Sequence, residues 1–439
     1  MIESRNDISF ANPAEIATRQ VERLRQHLGY LQQASPWYRE RFAVDQVQPK
    51  AIRSLDDLQQ LPLTGKSDLA EHNEQFLAIA ENLVVDICQT SGTTGEPVTI
   101  WQSEKDLQRL ARNECLAFKA AGVTAKDRVL IGAALDRGFM AGLAYFLGLR
   151  LIGASALRVG SGQPALVAET IIKQRPNVLV GVPSLFLRLA RRMQQAGHDP
   201  SKFGVDKLIC IGEPIRNSDL TLSPLGEELT TNWKAQVLGT YASTEMATAF
   251  ADCTAGCGGH LLPELIAVEI IDDAGNNLSA GETGEVVVTP FGIEGTPLLR
   301  YRTGDIASLH SETCQCGRQT PRLGPIIGRK SQMLKVRGTT LFPAAIGNVL
   351  HSIAGVDGHY LEVQQQFDLS DQLLVVVGTT DPALTADYLA AQIAGKTRVK
   401  PEVKLVTPAD ILRKTVRPEQ RKPITFFDYR NTNRESEKQ

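Results

Sequence analysis

Asn177-Val178-Leu179-Val180-Gly181 is a β-branched run closed by glycine, and a helical pattern from Pro183 to Gln194 follows it. Branched side chains are stiff at χ1 and sit well on a pleated surface, so the run predicts a short strand. Similar runs flank it, Arg128-Val129-Leu130-Ile131-Gly132 before and Lys207-Leu208-Ile209-Cys210-Ile211-Gly212 after, with another helical pattern over Ala165 to Lys173. Strands that alternate with helices predict an α/β fold whose sheet has a large parallel component, with ligand loops leaving the carboxyl ends of its strands.

Toward the N-terminus, Ile16, Val21, Leu24, Leu28 and Leu31 recur at helical spacing over Glu15 to Gln33, and Pro36 marks the exit. Further on, Val268 to Ile271 and Glu285 to Val288 are separated by the turn residues Asp272-Asp273-Ala274-Gly275-Asn276, which predicts antiparallel strands. Beyond Gly328 the order is strand (Tyr360 to Gln364), strand (Gln372 to Val377), helix (Ala386 to Ala394), strand (Val403 to Val406). The expectation is a large N-terminal domain of mixed sheets and helices over residues 1–327 and a small, mobile α+β lid over 328–439. Pro408 to Lys422 shows no strong period, and with the polar tail from Tyr429 it is expected to be mobile.

A chain of 439 residues exceeds what one hydrophobic core usually organises, so two domains fit its length. Lys+Arg 47 against Asp+Glu 49 leaves a formal charge of -2, which gives no field to draw nucleic acid or an anionic membrane. The longest apolar stretches, such as Met140 to Leu149, fall well short of the roughly 20 residues that span a bilayer. The first residues lack a basic segment followed by an apolar run, so a cytoplasmic location is the expectation. Seven cysteines, an odd number, do not make a disulfide scaffold, and Cys88, Cys115 and Cys210 lie in apolar settings that predict burial.

Thr90-Ser91-Gly92-Thr93-Thr94-Gly95-Glu96-Pro97 combines glycines and hydroxyls that can fold amide donors around an oxyanion, although it lacks the lysine of a Walker loop. Tyr241-Ala242-Ser243-Thr244-Glu245, Tyr301-Arg302-Thr303-Gly304-Asp305, and Gly328-Arg329 with Lys335-Val336-Arg337-Gly338 follow in order. The set resembles the acyl-adenylate-forming superfamily. Ser35-Pro36-Trp37-Tyr38-Arg39-Glu40-Arg41-Phe42, Leu61-Pro62-Leu63-Thr64-Gly65-Lys66-Ser67-Asp68-Leu69 and Phe426-Phe427-Asp428 resemble its phenylacetate-CoA ligase branch over nearly the whole chain.

That resemblance implies two half-reactions: a carboxylate attacks the α-phosphate of ATP and releases pyrophosphate, then a thiol, coenzyme A or a carrier phosphopantetheine, displaces AMP. A mixed anhydride is a far better electrophile than a free carboxylate. The loop Ser91, Gly92, Thr93, Thr94 and Gly95 would hold the triphosphate, Thr244 the α-phosphate and Glu245 a magnesium ion. Tyr241 corresponds to the adenine-stacking aromatic, and Gly212-Glu213-Pro214 to the loop beside the base. Asp305 offers two acceptors for the ribose hydroxyls, and Arg329 a cation for ribose or phosphates. Lys422, six residues before Asp428, corresponds to the lysine that bridges carboxylate and α-phosphate. Arg137, Phe139 and Met140 fall in a segment that lines the aryl pocket of relatives, so an aromatic acid is the expected substrate.

Cys253, Cys257 and His260, then Cys314 and Cys316, offer soft donors at zinc-like spacing. Relatives imply the set Cys253, His260, Cys314 and Cys316, with Cys257 spare; four protein ligands leave no open position, so a structural zinc is expected. Ser331 stands where most relatives carry an acidic or lysine hinge, and Gly347 follows Phe342-Pro343-Ala344-Ala345-Ile346 where they carry an acid. The acceptor therefore stays open between coenzyme A, an acyl-carrier protein and an amine. A nucleotide-binding remnant and a homodimer are the further alternatives.

Overall fold

The computed structural model describes residues 7–90, 97–136, 138–336, 339–367, 370–416 and 423–430. The chain forms two compact units, one running to Thr303 and including Ala307–Pro325, the other joining Gly304–Ile306 to the chain from Ile326 onward.

In the first unit, Ser155–Arg158, Arg128–Ile131, Val178–Gly181, Lys207–Ile211 and Gln236–Ser243 lie side by side in that order, each neighbouring pair parallel. Their residues alternate between two cores, as a two-residue period requires. Leu130, Leu179, Leu208 and Cys210 face a cluster with Val167, Leu189 and Trp233 of the helices Pro164–Gln174, Pro183–Gln195 and Pro224–Trp233. Val129, Ile131, Val180, Ile209 and Ile211 face the opposite cluster, with Phe118 of the Glu104–Ala120 helix and Tyr145 and Leu149 of the Met140–Ile152 helix. Helices thus cover both faces, as parallel sheets require.

Thr248–Asp252 continues the sheet antiparallel to Gln236–Ser243, and Ile266–Ile271 pairs antiparallel with Thr283–Pro290, as the turn chemistry predicts. The N-terminal helix runs Pro13–Ala34, capped by Asn12, whose side chain accepts from Glu15 N at 2.9 Å. Pro36 does end it, but by opening a further helix, Pro36–Val44. Cys88, Cys115 and Cys210 are buried.

In the second unit His359–Phe367 and Ser370–Gly378 pair antiparallel, and Glu402–Val406 and Phe426–Asp428 flank them in parallel. The Ala386–Thr397 helix lies where the pattern places it. Pro408–Thr415 corrects the sequence reading: it is a helix, not a featureless segment. Thr407 and Asp410 form a capping box at its start, and Ile411 and Thr415 are buried one turn apart on one face.

Candidate active site

The parallel pairing of two neighbouring strands ends with Ile211 opposite Thr240. Gly212, at φ +73°, turns the chain out of the first. Glu213 then aims back at the neighbouring helix: Ser184 N donates to one carboxylate oxygen at 2.9 Å and Ser184 Oγ to the other at 2.8 Å. The predicted adenine-side acid therefore caps the Pro183–Gln195 helix, where a negative charge meets unpaired amides.

Tyr241 continues the second strand and pairs with Phe250, the ring centroids 6.0 Å apart. Thr244 and Glu245 sit half-buried in the turn that follows. The Tyr301 hydroxyl donates to Glu245 Oε1 at 3.3 Å, and Glu245 lines a cavity with Trp101, Gln102, Met140 and Thr296. Met140 opens its helix there, whereas Phe139 packs against the apolar cluster around Val129.

Two groups that sequence reasoning did not single out hold this turn. Arg109 is buried and donates to Phe291 O (2.6 Å), Ala247 O (2.8 Å), Leu265 O (2.7 Å) and Thr248 Oγ1 (2.9 Å), tying the residues after Glu245 to the sheet. Burial lowers its pKa to about 10, so it keeps its charge at neutral pH. Behind Tyr301, the Tyr38 hydroxyl lies 2.7 Å from Thr64 Oγ1 and accepts from Leu299 N at 2.9 Å, while Thr64 Oγ1 donates to Leu299 O at 2.7 Å. The motifs around Tyr38 and Thr64 thus brace the strand that begins at Tyr301.

In the second unit Asp305 stands opposite Arg329 in a short antiparallel pair, with Arg329 Nε donating to Asp305 Oδ1 at 3.2 Å. Ser331 lies in the turn Lys330–Gln332 that follows. Ser91, Gly92, Thr93, Thr94, Gly95, Arg137 and Lys422 lie outside the described residues. The flanks of the glycine-rich loop are described: Thr90 N donates to Val98 O at 3.0 Å, closing the antiparallel pair Asp86–Gln89 and Thr99–Gln102. Lys414, the described lysine nearest Lys422 in sequence, is engaged with Glu362 at 3.2 Å and stacks over Phe427.

Cys253, His260, Cys314 and Cys316 bring their ligand atoms within 4.8 Å of one another. Cys253 Sγ is 3.6 Å from Cys314 Sγ, and Cys316 Sγ is 3.4 Å from His260 Nε2. Tetrahedral zinc with Zn–S bonds of about 2.3 Å separates its sulfurs by roughly 3.8 Å, so this donor set fits the ion. Thr320 Oγ1 lies 3.4 Å from His260 Nδ1, where it can fix the ring, and burial, aided by Arg318 and Arg322, lowers the imidazole pKa to about 4. Burial pushes the Cys253 thiol up to about 12, a cost that a bound dication reverses. Cys257 Sγ approaches Cys314 Sγ at 3.4 Å from outside the set.

The chain matches the family model described as AMP-binding enzyme over residues 24–293, and that described as AMP-binding enzyme C-terminal domain over 338–430. It is 30% identical to the phenylacetate-coenzyme A ligase of Thermus thermophilus, over 83% of this chain and 81% of that one. Against the Escherichia coli protein of the same name the identity is 28%, over 87% and 86%. Among solved structures, 2-hydroxyisobutyryl-CoA ligase in the postadenylation state with 2-HIB-AMP gives a TM-score of 0.85 at 22% identity, covering 98% of this chain and 92% of that one, a likeness of fold.

Proposed function

The chain belongs to the AMP-binding enzyme family, and from that premise we propose that it activates an aromatic or arylacetic acid with ATP and passes the acyl group to coenzyme A. The observation that carries this reading is the end of the parallel pairing at Ile211 and Thr240, which Gly212 and Tyr241 follow, with Glu245 held by Tyr301 in the lining of a cavity. Tyr241 presents an aromatic face to a base, and Thr244 an oxygen-bearing side chain to the α-phosphate. Glu245 is the magnesium ligand of the proposal; the ion neutralises charge between the two anions that must meet. Asp305 and Arg329 hold the ribose, Ser91 to Gly95 the triphosphate, and Lys422 the attacking carboxylate. Arg137, Phe139 and Met140 contribute to the acyl side.

In this reading residues 1–327 are the adenylation domain and 328–439 its lid. A zinc ion held by Cys253, His260, Cys314 and Cys316 joins two loops and takes no part in acyl transfer.

Acid-dependent exchange of pyrophosphate into ATP, over a panel of aryl and arylacetic acids, tests the first half-reaction. Exchange with at least one acid and its loss in Glu245→Gln are expected; a folded, magnesium-loaded protein that exchanges with none overturns the proposal. Consumption of coenzyme A with that acid tests the second half.

A further inference from the structure

We infer that the buried recess walled by Glu114 and Tyr145 is the far end of the acyl pocket and selects aromatic acids bearing a hydroxyl or amino substituent remote from the carboxylate. The inference rests on the adenylation reading above and deepens it.

The recess lies against Ile211, Gly239 and Thr240, where the parallel pairing of the two strands that lead to Gly212 and Tyr241 ends. Its third wall is the helix Met140–Ile152, whose first residue lines the cavity beside Glu245 and whose Tyr145 faces the recess. The elements that carry the nucleotide-side residues therefore also close the recess, where ligands of α/β sheets are bound.

Its polar chemistry is uneven. Asp252 is fully engaged: Arg216 reaches it at 2.8 Å, and Gly239 N and Gly258 N donate to it at 2.7 and 2.8 Å. Glu114, at 4% exposure, receives one hydrogen bond, from Asn113 Nδ2 to Oε1 at 3.0 Å. Among the described residues nothing hydrogen-bonds its second oxygen or the Tyr145 hydroxyl. Burial pushes the Glu114 pKa up to about 8, so at neutral pH the carboxyl is mainly protonated and both donates and accepts.

The carboxyl is also fixed in place. A Cβ on Gly148 would stand 2.4 Å from Glu114 Cβ, so only glycine lets the two helices approach closely there. The Phe118 ring meets Tyr145 edge-on at 5.8 Å and closes the side. The remaining space accommodates a group about the size of one water molecule. That suits a ring substituent and excludes a whole ring. An unsubstituted acid would leave both buried groups unpaired, which is how a polar pocket rejects an analogue that lacks the hydroxyl.

The test is pyrophosphate exchange by the full chain with benzoate, phenylacetate and their hydroxy and amino derivatives at each ring position. Wild type is compared with Glu114→Gln, Glu114→Leu and Tyr145→Phe, each checked for folding by thermal melting. The best substituted acid should exceed its parent in kcat/KM by about 100-fold or more in wild type. Glu114→Leu should bring that ratio near one, while Glu114→Gln, which still donates and accepts, retains most of it. If the leucine variant does not fold, Tyr145→Phe carries the test and should cut the ratio about tenfold. Equal use of parent and substituted acids by wild type, or ratios that none of the folded variants changes, overturns the inference and leaves adenylation standing. Exchange with no acid at all overturns both.

Discussion

Asp305 and Arg329 face each other across an antiparallel strand pair, and the guanidinium Nε donates to the carboxylate at 3.2 Å. Two residues assigned to one ribose thus also bond each other. Arg329 is 42% exposed and Asp305 11%, so the pair contributes at most about 1 kcal/mol to folding. Asp305→Asn and Arg329→Ala should each raise the KM for ATP about 10–100-fold, the loss expected of a charged hydrogen bond to ligand, with little change in melting temperature. Steady-state kinetics beside a thermal melt checks it; an unchanged KM removes both residues from the nucleotide site.

Arg109 gives the opposite signature. Replacing it with methionine leaves the carbonyls of Ala247 and Phe291 without this donor, while Leu265 O keeps Phe291 N at 2.7 Å. At about 1–3 kcal/mol for each unsatisfied group, unfolding in urea should show a loss of at least about 2 kcal/mol. Exchange activity should fall with it, because the turn bearing Glu245 loses its tie.

Metal analysis separates the five clustered sulfur and imidazole residues. Cys314→Ser should abolish stoichiometric zinc and lower the melting temperature by several degrees, and Cys257→Ser should retain the ion. Zinc retained after loss of Cys314 would refute the four-residue assignment.

Stability should depend on pH through Glu114. Its folded pKa of about 8 lies above the ordinary 4.5, so the folded state keeps a proton that the unfolded chain releases. The contribution is complete below pH 4.5 and is lost as pH rises toward 8, a change on the order of a few kcal/mol. Glu114→Gln should flatten that part of the profile in urea titrations at pH 5, 6.5 and 8.5.

The parallel strands were legible because each is a contiguous run whose alternate residues feed two cores, as Leu208 and Ile209 do. Asp305 and Glu245 stand out as candidates through their motifs, which are local. Arg109 was not: in sequence it is one more charged residue of an amphipathic helix, and its acceptors lie 138 to 182 positions away. The tie of Glu213 to Ser184 was hidden in the same way, since that partner is 29 residues back. The Pro408–Thr415 helix did carry a local signal, the Thr407–Asp410 box, which periodicity alone passes over.

The grip of Glu213 on Ser184 also bears on how this scaffold can diversify. Because one carboxylate joins the loop after one strand to the helix after its neighbour, the two crossovers behave as a single mechanical part. Laboratory evolution toward bulkier acids that replaces Glu213 would loosen both at once, so new specificities are more accessible through the side chains lining the recess than through that loop.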